Sequence, residues 1–283
     1  MEPGQPSQTA LRAAAHRAAH QTLDGGVIFA DPLATAVLGA TAAEIFGDQL
    51  NKPANRSMRG FIAARSRFAE ESLAAAVARS VRQYVVLGAG LDTFAHRNPF
   101  ADQGLRVFEV DHPATQGWKQ RRLADAGLAA PASLTFAPVD FERETLAAGL
   151  AAAGFDAAAP AFFSWLGVIV YLTRPAVMET LGFVASLAGG GEVVFDYGVP
   201  ISSYPSDRQA YQARRAAYVA AMGEPWRSRF TPGDLAAMLG GLGFTELEDL
   251  GPAAIAGRFY GVGRPDGPGG HFMRASSPGF PTP

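Results

Sequence analysis

The chain has 283 residues, enough for one large domain or two small ones with a sizeable core and no need of covalent staples. Apolar residues make up 48% and charged residues 18%, which excludes a disordered chain, and the absence of cysteine excludes disulfides, thiolate metal sites and a cysteine nucleophile. The balance of 24 basic against 26 acidic residues leaves no electrostatic footprint for nucleic acid or anionic lipid.

The segment before residue 83 reads as helices. Thr9–Leu23 mixes alanine with histidine and arginine, Asp24-Gly25-Gly26 makes a turn, and Asp31-Pro32 opens a second helical stretch with Asp as cap. Ser57–Val81 is a long helix. At about 100° per residue its Met58, Phe61, Ile62, Ala69, Leu73 and Ala76 share one side, with Arg65 among them and Arg67 pointing the other way. A buried guanidinium needs an anionic partner. A ligand carboxylate could supply it; alternatively the Arg65 stem packs and its head reaches water.

From Gln83 the pattern alternates. Strands are expected at Tyr84–Leu87, Leu105–Val110, Ser133–Val139, Pro160–Trp165 and Gly191–Tyr197. Helices are expected between them at Pro113–Ala126, Glu142–Ala153 and Arg174–Leu187. This order predicts βαβ units and a parallel sheet. The first strand ends in Leu87-Gly88-Ala89-Gly90-Leu91-Asp92. Glycines there let the backbone approach a ligand, and open α/β sheets bind ligands beside that strand end. The third glycine of the dinucleotide fingerprint is replaced by Thr93, which weakens a nicotinamide or flavin reading. Asp111 closes the second strand 21 residues past Gly90, a spacing suited to ribose hydroxyls; the plain alternative is a cap for the helix at Pro113. Asp140 and Phe141 follow the third strand, where Asp140 can accept from an adenine amino group or cap the helix at Glu142.

After the fifth strand, Ser206–Met222 is an amphipathic helix on which Tyr204, Arg208, Tyr211 and Arg215 recur at helical spacing. This is either an aromatic and cationic lid over a planar anionic acceptor or a solvated helix packed on the core. Thr231 caps another helix, Phe244–Leu250 and Arg258–Gly263 are expected to pair as antiparallel strands, and His271–Pro283 is expected to fray. No targeting signal is evident at the N-terminus, and the apolar stretch Ala161–Leu172 is too short for a bilayer, so a cytoplasmic protein is expected, without a membrane partner. Only Lys52 and Lys119 are lysines, against 22 arginines and 54 alanines, a bias that suits GC-rich bacterial coding.

Taken together, these segments resemble the leucine carboxyl methyltransferase family, among the class I methyltransferases that use S-adenosylmethionine. The resemblance is carried by Arg12–Asp24, Phe29–Ala34, Ala64–Phe68, Val85–Thr93, Phe108–Pro113, Pro138–Phe141 and Phe162–Thr173. It implies a Rossmann-like class I methyltransferase sheet of seven mostly parallel strands with an antiparallel last strand, an N-terminal helical extension and a lid insertion after the fifth strand. It implies a single domain over 1–264, divided into a helical cap (1–82), a cofactor core (83–200), a lid (201–230) and a final helix and strand pair (231–264), with a flexible tail at 265–283. It assigns Arg65 to the methionyl carboxylate of the cofactor, Gly88 and Gly90 to its methionine moiety, Asp111 to the ribose, and Asp140 and Phe141 to the adenine. Arg17 matches a basic residue near the cofactor carboxylate. Leu166 stands where some members have a glutamate, so methylation of a protein C-terminus transfers less readily than O-methylation of a small molecule, of the kind found in secondary metabolism.

No metal is required. A carboxylate acceptor is ionised at neutral pH and needs no base, whereas a phenol would use one, for which His112, Tyr197 and Tyr204 are the candidates. Two other readings stay open: a nicotinamide-dependent Rossmann oxidoreductase and a non-catalytic adenosine-ligand sensor.

Overall fold

Apolar strands joined by helices favour parallel pairing in a sheet covered on both faces. The computed structural model describes residues 8–39, 47, 52–140, 143–221, 223–263 and 267–282. The chain divides into two compact units, Met1–Phe155 and Asp156–Pro283.

The first unit begins with helix α1 (Gln8–Leu23), the short α2 (Ala34–Leu38) and the long α3 (Pro53–Ala78). Leu11, Ala14, Ala15 and Ala18 of α1 pack with Val37, Leu38 and Leu123 in a small-residue core. Three parallel strands follow: β1 (Gln83–Leu87), β2 (Arg106–Asp111) and β3 (Leu134–Pro138). They are linked by the short α4 (Phe94–Arg97) and by α5 (Pro113–Asp125), and α6 (Leu146–Ala152) closes the unit. All of β1 is buried, as are Val107, Phe108, Glu109 and Val110 of β2. Helix α6 starts at Leu146 on a Thr145 cap, not at Glu142. Thr145 Oγ1 accepts from Ala148 N, and that local bond outcompetes Asp140 for the cap.

The second unit holds β4 (Ala161–Trp165), α7 (Arg174–Ala185), β5 (Gly191–Gly198), α8 (Ser206–Ala221), α9 (Pro232–Leu242), β6 (Glu246–Leu250), α10 (Pro252–Ile255) and β7 (Gly270–Ser276). The strands form a mixed sheet, seven in all, ordered β3-β2-β1 in the first unit and β4-β5-β7-β6 in the second. Strand β7 runs antiparallel to both β5 and β6. Two expectations fail here. Arg258–Gly263 is not a strand, because Ala256–Tyr260 continues α10 as one π-helical turn. The last strand instead lies in the segment expected to fray. Phe272, Met273 and Ala275 are buried, Ser277 Oγ accepts from Gly191 N at 2.9 Å, and Phe280 is buried. The flanking Pro, Gly and Ser residues hide a short buried run that only its two neighbours make into a strand. Strand β6 is the edge, and its Glu246, Glu248 and Asp249 blunt it against further pairing.

Candidate functional site

At the end of β1 the chain turns sharply. Gly88 has φ +63° and Gly90 φ +48°, conformations that side chains with a Cβ resist. A Cβ on Gly90 would sit 3.2 Å from Ala10 Cβ, so α1 covers this turn closely. The turn is tied to the end of β2 by two bonds: Ala89 N donates to Val110 O at 3.0 Å, and Gly90 N donates to Asp111 Oδ2 at 2.6 Å. Asp111 Oδ1 accepts from His112 N at 2.7 Å. Each carboxylate oxygen thus takes one backbone proton and keeps further acceptor capacity, since an ionised carboxylate offers about four lone-pair sites. Burial pushes the Asp111 carboxyl above its ordinary range, and the two backbone donors pull the other way.

The cap of α5 is His112, not Asp111. Its Nδ1 accepts from Ala114 N at 3.1 Å, so that nitrogen carries no proton in the cap. Asp140 follows β3 in a turn. Its carbonyl accepts from Arg143 N and Glu144 N, and its carboxylate lies 3.3 Å from the exposed Arg143 guanidinium. Phe141 falls outside the described residues. Three parallel strands therefore deliver Gly88–Gly90, Asp111 and Asp140 to one sheet edge. On α3, Arg65 is half-buried beside Ile62, Phe68 and Ala69, and Arg67 is exposed.

A buried charge network escaped the sequence reading. Asp31 has no exposed surface. Arg17 Nε lies 2.7 Å from its Oδ2 and Arg97 Nε 3.3 Å from its Oδ1. Thr93 Oγ1 donates to Oδ2 at 2.7 Å. Arg17 also donates through Nη2 to Leu91 O, and Arg97 pairs with Glu70 at 2.7 Å. Thr93, the residue that breaks the dinucleotide glycine pattern, is thus a buried donor to Asp31. A second buried pair, Lys119 with Glu109 at 2.6 Å, joins α5 to β2. Asp31 lies 62 residues from Thr93 in the chain, so no local pattern announces the pair.

In the second unit Tyr197 donates through its hydroxyl to Asp249 Oδ2 at 2.6 Å, and His271 Nδ1 lies 2.9 Å from Asp249 Oδ1. The Tyr197 and His271 rings stack at 4.9 Å. Burial and the Asp249 carboxylate push the Tyr197 phenol well above its usual range, so Tyr197 keeps its proton. Asp249 orients the imidazole through Nδ1, the arrangement in which Nε2 can accept a proton. A Cβ at Gly251 would sit 3.2 Å from His271 Cε1, so glycine there admits the ring. Helix α8 buries no residue. Tyr211 stacks under Arg215 at 5.9 Å, Tyr204 bonds Arg229, and Arg208 is exposed.

The family model for leucine carboxyl methyltransferase matches residues 10–185. The chain belongs to the leucine carboxyl methyltransferase family. Among relatives, it is 37% identical over 204 residues to the "Putative S-adenosyl-L-methionine-dependent methyltransferase YktD" of Bacillus subtilis (strain 168), covering 70% of this chain and 65% of that protein. It is 34% identical over 220 residues to a protein of Mycobacterium avium (strain 104) named in the same way, covering 74% and 69%. The chain thus spans slightly less than two thirds of the first relative. A solved structure titled as a putative methyltransferase from Thermobifida fusca YX has the same Rossmann-like α/β fold, with TM-score 0.57 at 16% identity, covering 97% of this chain and 96% of that one. Among the described residues no helix is long and apolar enough to cross a membrane, and no cluster of His, Asp and Glu could hold a metal ion.

Proposed function

We propose that this member of the leucine carboxyl methyltransferase family is an S-adenosylmethionine-dependent O-methyltransferase acting on a carboxylate or phenolic hydroxyl of a small molecule. The observation that carries this reading is the Asp111–Gly90 arrangement: a glycine turn with positive φ, tied to a carboxylate at the neighbouring strand tip that retains lone pairs for a vicinal diol. Asp111 would hold the ribose and Gly88 and Gly90 the methionine portion. Asp140 and Phe141 would hold the adenine. Arg65 would hold the methionyl carboxylate, with the smaller share falling to Arg17, whose guanidinium already serves Asp31. Bound there, the cofactor supplies an electrophilic methyl group on a sulfonium, chemistry that needs neither a thiol nor a metal.

The acceptor would meet side chains of the segment that follows β5. Tyr204, Arg208, Tyr211 and Arg215 offer cations and ring faces. A carboxylate acceptor needs only orientation and exclusion of water. For a phenol, Tyr204 or His271 would take the proton, since His112 Nδ1 already accepts from Ala114 N and the Tyr197 hydroxyl already donates to Asp249. A cytoplasmic bacterial setting and a place in secondary metabolism fit the composition and the family. Calorimetry with S-adenosylmethionine tests the reading: saturable binding is expected, and its absence overturns it. A nicotinamide-dependent oxidoreductase is disfavoured by the engagement of Thr93 with Asp31, and a fluorescence titration with NADH is expected to show no saturation.

A further inference from the structure

Two guanidiniums converge on one indole ring in the second unit. The Arg229 guanidinium lies 4.5 Å from the Trp226 ring centroid and that of Arg215 5.7 Å from it. The groups that act electrostatically on the Arg229 guanidinium are Tyr204 and Arg215, with no carboxylate among them. Arg229 bonds Val199 O through Nη1 at 2.7 Å and the Tyr204 hydroxyl. Burial, together with repulsion from Arg215, pushes its guanidinium below the usual arginine range. Like charges gathered at one place without a counter-charge cost free energy, which an anion would recover.

The backbone around Trp226 is held firmly. Arg227 N and Ser228 N both donate to Val170 O, at 2.7 and 3.3 Å, and Ser228 Oγ donates to Leu172 O. Phe230 N donates to Gly198 O at 3.1 Å. The segment 226–230 is therefore a strap across the carboxyl ends of β4 and β5. That is the sheet edge where open α/β folds take their ligands. Trp226, Arg215, Arg229 and Tyr204 are each only partly exposed, so the ring and its cations are shaped by the fold and still reachable.

We infer that Arg215, Trp226, Arg229 and Tyr204 form a binding site for an aryl carboxylate, the anionic group meeting the two guanidiniums and the ring lying against the indole. Arginine can bond a carboxylate through two parallel N–H groups, and planar rings stack on tryptophan and guanidinium faces. The inference rests on the small-molecule acceptor reading above and narrows it: the acceptor, or the part of it that is recognised, is a planar aromatic acid. Sequence spacing alone pointed to Tyr204 and Arg215; Trp226 and Arg229 join them only in three dimensions.

The test is a titration of the full chain with benzoate, followed by the tryptophan indole N–H resonances in a 15N-labelled sample. The Trp226 signal is identified by its loss in Trp226→Phe. Saturable movement of the Trp226 signal is expected, with Trp118 and Trp165 unmoved. Acetate (no ring) and benzyl alcohol (no charge) are each expected to bind at least about tenfold more weakly, the loss of one charge-assisted bond or one stacked ring. Arg229→Gln is expected to weaken benzoate about tenfold, and Arg215→Gln, on a helix that buries nothing, does the same without threatening the fold. Unchanged Trp118 and Trp165 signals certify each variant as folded. The inference falls if benzoate leaves Trp226 unmoved, if acetate or benzyl alcohol titrates equally well, or if folded Arg215→Gln binds benzoate like the wild type. Calorimetry with S-adenosylmethionine on the same sample separates the two ideas. Cofactor binding without benzoate binding overturns only this site, and loss of cofactor binding overturns the methyltransferase reading.

Discussion

The glycine turn of the first unit and helix α8 of the second treat charge in opposite ways. Around the turn Asp31 and Glu109 are buried and compensated, Asp31 by Arg17 and Arg97 and Glu109 by Lys119, and the partly buried Asp111 accepts from two backbone N–H groups. On α8, which buries no residue, and on the strap after it, Arg215 and Arg229 face the ring of Trp226. The first pattern holds one backbone geometry, as a site for a constant ligand requires. The second leaves charge available and side chains replaceable, as the proposed acceptor surface would require. Rigidity and adaptability are thus separated along the chain.

Asp31→Ala tests the rigid side most severely. It strands Arg17 in the interior and leaves Arg97 to Glu70 alone, and a loss of about 3–5 kcal/mol is expected in urea unfolding, the cost of breaking a buried pair from one side. A loss under about 1 kcal/mol would mean the network is not structural. Asp111→Ala is expected to weaken S-adenosylmethionine by about 2 kcal/mol in calorimetry, since two ribose bonds to a charged group disappear. Unchanged affinity would remove Asp111 from the site. Gly90→Ala forces a Cβ onto a left-handed backbone and against Ala10, and a cost of about 1–2 kcal/mol is expected in thermal unfolding, with weaker cofactor binding.

The pH dependence sharpens the same contrast. Burial raises the Asp111 carboxyl, and ribose hydroxyls donate to its charged form, so cofactor binding should lower it again. A proton is then released on binding between the two values, and affinity falls as pH drops through the raised one. Calorimetry in two buffers of different ionisation enthalpy reads that proton; identical heats would show that Asp111 does not titrate with binding. Smallest of all, Arg208→Gln on exposed α8 is expected to shift unfolding by no more than about 0.5 kcal/mol, and a larger loss would deny that this helix is free of structural duty.

The local features were readable because their causes are local. Apolar runs alternating with helical patterns predict parallel strands. A glycine pair directly after the first strand and an acid 21 residues on predict the turn and its carboxylate, because strand length and helix length set that spacing. Composition concealed β7, since Phe272, Met273 and Ala275 sit among Pro, Gly and Ser and become a strand only between β5 and β6.

By itself, then, the sequence determined the alternating βα order, the glycine turn, the acids at the strand tips and the family. Tertiary structure alone decided which charges are buried and which partners compensate them: Asp31 with Thr93, Tyr197 and His271 with Asp249, Arg215 and Arg229 at Trp226. The reason is that desolvation and ion pairing depend on what lies a few ångströms away in space. For Tyr197 and Asp249 that neighbour is 52 residues away along the chain.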